Sequence, residues 1–337
     1  MKFRDPDHAG NHPGQAAPVK MPLPAAAEGV HGGGHRRPGP RPLHIGLGRL
    51  ATGLLLLSAC LLLLTGCVKL ALRASPSLID SLTKSIFAEC DPQLAAAAIP
   101  SDLKLLEGLL REDSSNRTLL QALCRGFSGY ALLFVEPDDP ERASGLYLRA
   151  RNYGLRALGA TERLVGPGAG DRHGVEEWLQ ALPQDRVEPL FWTVLAWSAW
   201  LRNNLDKPSA LAQIGTLERC LDHVIKNKPG LLYGAPLIVK GVLLAARPRM
   251  LGGNLKQART CFEEALRLSG RRFLLAQYYF ARYYAVASQE KDLFYSLAKE
   301  ITSRSPEEPA DVCLINTVIR RWAPGLRERA DEWFYQE

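Results

Sequence analysis

One cysteine thiol, two histidines and a scatter of adjacent glutamates are the groups in this 337-residue chain whose placement bears on chemistry. The thiol is Cys67. It closes Leu64-Thr65-Gly66-Cys67, at the end of an almost wholly apolar run that starts at Leu54, and Arg36, Arg37, Arg41 and Arg49 precede that run. Basic residues, a short apolar stretch and small residues ahead of a cleavage point form an export signal. A membrane span needs about 20 apolar residues, a length this run reaches only by counting polar neighbours. Other nucleophile and metal candidates fail on spacing. Gly126-Phe127-Ser128-Gly129 lacks the last step of G-x-S-x-G and lies in a helical pattern, where no strained elbow forms. His173 and His223 have no metal-ligand neighbour at helical or loop spacing. Glu176 with Glu177, and Glu263 with Glu264, point apart on a helix and suit a solvated face. Gly166, Gly168 and Gly170 follow no strand and precede no Lys-Ser/Thr, so they make a loop rather than a phosphate cradle. The expectation is therefore no enzyme, no metal and no cofactor.

The ending at Cys67 resembles the bacterial lipobox, in which small residues seat the chain in a signal peptidase once the thiol carries a diacylglyceryl group. On that resemblance residues 1–66 are leader and signal, Cys67 becomes the first mature residue, and residues 67–76 are a lipidated tether. Several acyl chains hold a protein durably on a membrane, at about 0.8 kcal/mol per buried methylene. The leader, with five histidines before residue 45 and many Pro and Gly, cannot bury a core. It also carries seven Lys/Arg against three Asp/Glu, so only +3 of the net +7 remains after residue 66. A nucleic-acid partner is not indicated. Five cysteines follow Cys67 with no C-x-x-C pair, and buried thiols are expected, with a single bridge as the rival.

From Ser77 onward nearly every segment has helical period and punctuation, and none alternates like a strand. Helices are expected over 77–90, over 101–111 with Ser101 as N-cap after Pro100, over 116–136 and, opened by Pro140, over 141–158. Gly159 to Gly174 reads as a linker that divides the mature chain. Further helices are expected over 175–182, 185–203, 209–226, 231–246, 255–268, 273–288, 291–304, 309–321 and 326–334. Phe127, Tyr130, Ala131, Phe134, Ala143, Tyr147 and Ala150 fall on the spacing of the 34-residue tetratricopeptide unit. Gly253, Ala258, Phe262 and Ala265 fit the second helix of another unit. The expected fold is all-α, an irregular tetratricopeptide-like helical-repeat array over residues 77–337, with a non-repeat helical bundle as the alternative.

Aromatics concentrate on two helices, Phe191, Trp192, Trp197 and Trp200 on one and Tyr278, Tyr279, Phe280, Tyr283 and Tyr284 on the other. Most suit repeat packing. Trp192 and Trp197 stand about 140° apart around a helix, so one of them is expected to face a cavity. Leu190-Phe191-Trp192, Ala196-Trp197, Glu218-Arg219-Cys220-Leu221-Asp222, Tyr233-Gly234-Ala235 and Pro248-Arg249-Met250-Leu251-Gly252-Gly253-Asn254 together resemble the TatT family. These are lipoprotein T components associated with TRAP (tripartite ATP-independent periplasmic) transporters.

The resemblance implies a helical lipoprotein that forms a homotrimer, holds a pore or hollow in each protomer and docks the substrate-binding P component. The ligand expected to pass is small and apolar or carboxylated, and the aromatic clusters and the insert make Trp192, Trp197, Arg249, Tyr278 and Tyr283 the expected ligand or partner surface. The expected location is the periplasm, with a lipid anchor in the outer rather than the inner membrane. An envelope-assembly scaffold of the pilotin or barrel-assembly type is the alternative. Serine is no substrate for diacylglyceryl transfer, so Cys67→Ser should leave an unprocessed precursor that takes up no fatty-acid label in cells. Equal labelling of the variant would overturn the anchor.

Overall fold

A computed structural model describes residues 76–166 and 171–334, so the signal run and Cys67 lie outside the described residues. Every regular element among the described residues is helical. The longer helices are α1 Pro76–Ala88, α2 Pro92–Glu112, α3 Arg117–Tyr130, α4 Pro140–Leu158, α5 Arg172–Gln180 and α6 Val187–Arg202. They continue as α7 Ile214–Asn227, α8 Ala235–Ala246, α9 Leu255–Leu268, α10 Leu274–Tyr279, α11 Lys291–Ser303 and α12 Cys313–Glu328. Their starts are written in the sequence. Asp91, Asn116, Asp139 and Asn254 each accept a backbone N–H of the first turn, and Pro92 and Pro140 occupy positions whose missing N–H costs nothing.

Three expectations give way to packing. Helix α2 does not begin at Ser101 but runs from Pro92 straight through Pro100. An internal proline costs about 3 kcal/mol, yet Ala95, Ile99, Leu103, Glu107 and Leu110 form one buried stripe across it, and that burial outweighs the lost hydrogen bond. Helix α12 likewise continues through Pro324 to Glu328, where two helices were expected. The stretch from Gly159 to Gly174 contains the short helix Thr161–Leu164 and the start of α5, and it divides nothing, because α4 packs along α6 across it.

Neighbours in sequence are neighbours in space. α3 pairs with α4, α6 with α7 and α8 with α9, while α4, α6, α8 and α10 pack in succession on the next pair. Ala143 and Ala258 are fully buried, consistent with close helix approach. The turn before α9 shows why Leu251-Gly252-Gly253-Asn254 is so particular. Gly252 holds φ +85°, a Cβ on Gly253 would fall 1.8 Å from the Arg247 carbonyl oxygen, and Asn254 then caps α9.

The last helix returns to the first. α12 packs on both α1 and α2, and a Cys90–Cys313 disulfide fastens them across a sequence separation of 223 residues. Cys124 and Cys220 are buried thiols and Cys261 is half-buried. Of the two readings open for the cysteines, one bridge therefore holds alongside the buried thiols. Closing so long a loop restricts the unfolded chain, so Cys90→Ser should lower unfolding free energy by ~3–5 kcal/mol in urea titrations without reductant. Midpoints equal to wild type would mean that the bridge adds nothing to stability.

Candidate functional site

Inside the array, α3, α4, α6, α8 and α10 surround an apolar cavity with about 530 Å³ of atom-free space, its mouth included. Leu195, Ile238, Val242 and Leu275 supply much of its wall. Two elements shape it in a way periodicity cannot show. After Tyr130, α3 loosens into a π-helical turn over Ala131–Val135, and after Tyr279, α10 does the same over Phe280–Ala285. Each π turn inserts a residue into the helical repeat and rotates the residues beyond it, a device common where a helix must aim a side chain. Leu132 from the first and Tyr279 at the edge of the second line the cavity. Glu136 immediately follows the first.

At one end the wall turns polar. Arg202, the last residue of α6, donates to Glu136 and also to Tyr283 Oη at 2.8 Å, and the Tyr147 hydroxyl donates to Glu136 at 2.5 Å. Burial opposes the charge on Arg202, but Tyr283 and Glu136 more than offset it and keep the guanidinium protonated well above its ordinary range. Burial and the neighbouring Glu136 push the Tyr147 and Tyr279 phenols well above theirs. The cluster thus presents a paired cation and anion with neutral phenols, with little net charge. Ser198, one turn before Arg202, also lines the cavity. It is buried, and its Oγ has no hydrogen-bond partner among the described residues. Such a group costs free energy unless something satisfies it.

The five residues expected at the site are dispersed. Tyr283 alone joins the cluster. Trp197 is fully buried with its Nε1–H donating to Gln213 at 2.8 Å, and Trp192 stacks on Phe87 of α1 beneath the Arg125 guanidinium. Neither lines the central cavity. α3, α4, α7 and α8 pack around α6, so Trp197 is enclosed by protein, while Trp192 lines a separate small pocket with Gln121, Arg125 and Pro189. Arg249 is exposed on the 3-10 turn Arg249–Leu251, and Tyr278 packs against Trp322. Sequence reasoning missed Arg202, Glu136, Ser198 and Tyr147. A charged residue closing an apolar helix was the one visible signal. Ser128, the would-be nucleophile, is buried and donates to the Cys124 carbonyl. No group of three or more His, Cys, Asp or Glu could hold a metal among the described residues.

These features define an all-α protein with an open-mouthed apolar cavity among its helices and a charge-compensated polar end to that cavity. The chain belongs to the TRAP transporter T-component family, whose profile matches residues 88–334. That makes it a transport-associated component, and the match lends no support to the envelope-assembly alternative. It is also similar to an uncharacterized protein of Treponema pallidum (strain Nichols), 28% identical over 208 residues. That similarity covers 55% of this chain and 62% of the relative, less than two thirds of its length.

Removing one member of a buried ion pair strands the other. Arg202→Met should therefore cost ~3–5 kcal/mol, and adding Glu136→Gln should recover part of it. A double-mutant cycle by chemical denaturation measures the coupling. Additive losses would show that the pair is not coupled in solution.

Proposed function

We propose that this chain is the lipid-anchored periplasmic T component of a TRAP-type transporter, a tetratricopeptide-like array that forms a homotrimer and docks the substrate-binding P component. Its central cavity passes a small ligand between the two. The observation that carries the ligand part is the apolar wall of this open-mouthed cavity with an unpartnered Ser198 hydroxyl at its polar end. Arg202 is already paired with Glu136, so the cavity offers no uncompensated cation. A largely apolar ligand with a neutral hydrogen-bonding end fits this balance better than a free carboxylate, which would have to compete with Glu136. Trp192, Trp197, Arg249 and Tyr278 lie away from the cavity and are assigned to packing or to the partner-facing exterior.

Ala199 lines the cavity beside Ser198. Ala199→Phe should fill the space and abolish ligand co-purification with the P component–T component complex, as read by native mass spectrometry, while complex formation itself persists. Ligand retained at wild-type occupancy would overturn passage through this cavity. Failure of the wild-type chain to bind the P component produced by the same cells would overturn the docking reading.

A further inference from the structure

A second apolar site lies apart from the central cavity. Helices α1 and α2 form its two walls and α3 its floor, with Ile79, Ile86, Phe87, Leu103, Leu106 and Leu133 inside. Its atom-free space is about 840 Å³, open mouth included. Polar atoms are confined to a few side chains, chiefly Thr83, Ser85, Asp102 and Arg125. The floor carries Gly126 and Gly129, and a Cβ on Gly129 would meet nothing within 4 Å. At and beside the lips, Leu78, Leu82, Leu94 and Leu105 are 61%, 54%, 58% and 63% exposed. Leu82 and Leu105 line the groove itself, and exposed leucines at the edge of an apolar trough mark a surface that something covers.

The chain itself supplies a candidate for that cover. α1, one wall of the groove, begins at Pro76, and Cys67 lies nine residues before it. At 3.3–3.6 Å per residue, roughly 30 Å is the most that can separate the lipid from that wall. A tether this short holds its end at an effective concentration on the order of millimolar. A soluble ligand would need directed polar contacts to fix it in place. A methylene chain needs none, and this interior offers few.

We propose that the groove between α1 and α2 seats one acyl chain of the lipid on Cys67, so that part of the anchor packs against the protein it carries. The proposal rests on the reading of Cys67 as the lipidated residue. Groove and bilayer core are both apolar, so the chain can exchange between them, and the exposed leucines let the groove open directly onto lipid.

The test uses the full-length chain in cells that process lipoproteins, fed a fatty acid bearing a photoreactive diazirine and an alkyne. After irradiation the crosslinks are mapped by mass spectrometry. The expected result is label on Cys67 with intramolecular crosslinks to peptides of α1, α2 and α3. Gly129→Leu, which fills the floor, should lose most of those crosslinks at unchanged melting temperature. Leu82→Gln, at an exposed lip where folding is not at stake, should weaken them. Label on Cys67 with crosslinks only to phospholipid, to a second copy or to other parts of the chain overturns the groove and leaves the lipid anchor standing. Absence of label at Cys67 overturns the anchor reading and the groove proposal with it.

Discussion

Closure of the helical array is the constraint on which the rest depends. In an open stack of helix pairs the first and last helices each keep an unpaired face, and a terminal capping element must shield it. Here α12 covers α1 and α2, and the Cys90–Cys313 bridge holds that contact. The inner helices α4, α6, α8 and α10 then face one another across an interior, and their small and aliphatic side chains leave it unfilled. An empty apolar space of this kind costs packing energy. Closure spreads that cost over a chain large enough to bear it.

The polar end of the cavity is a different kind of expense. Taking Arg202 and Glu136 out of water is favourable only if both remain hydrogen-bonded, and Tyr147 of α4 and Tyr283 of the π turn after α10 supply those bonds. Four helices thus meet at one ion pair, and each π turn lies next to it. A regular α-helix from Arg117 through Glu136 would rotate Glu136 away from Arg202. The irregularity in the backbone and the satisfaction of the charge are one solution to one problem.

Much of the fold was legible in the sequence because it depends on local rules. Cap residues, prolines at helix starts and small residues at crossings mark most boundaries to within a few residues. Pro100 and Pro324 misled for a physical reason: a breaker predicts an end only when nothing buries the helix on both sides of it. The site was less legible. Glu136 and Arg202 are 66 residues apart, and Glu136 follows a π turn that shifts the register of its helix. Trp192 and Trp197 drew attention as large aromatics, yet a helix surrounded by four others consumes such side chains as filling. The disulfide was equally hidden, since its two halves are distant in sequence and become neighbours only when the array closes.

The same bridge decides how the molecule bears mechanical load. Tension applied from the N-terminal side of α1 reaches Cys90 after a single helix, and there it divides. One branch enters α2, and the other crosses the sulfurs into the start of α12. The 224 residues from Cys90 to Cys313 form a covalent ring. Traction from the amino end can peel away α1, but it cannot unravel the helices around the cavity one after another. The helices inside the ring are insulated from forces applied to the amino end of α1.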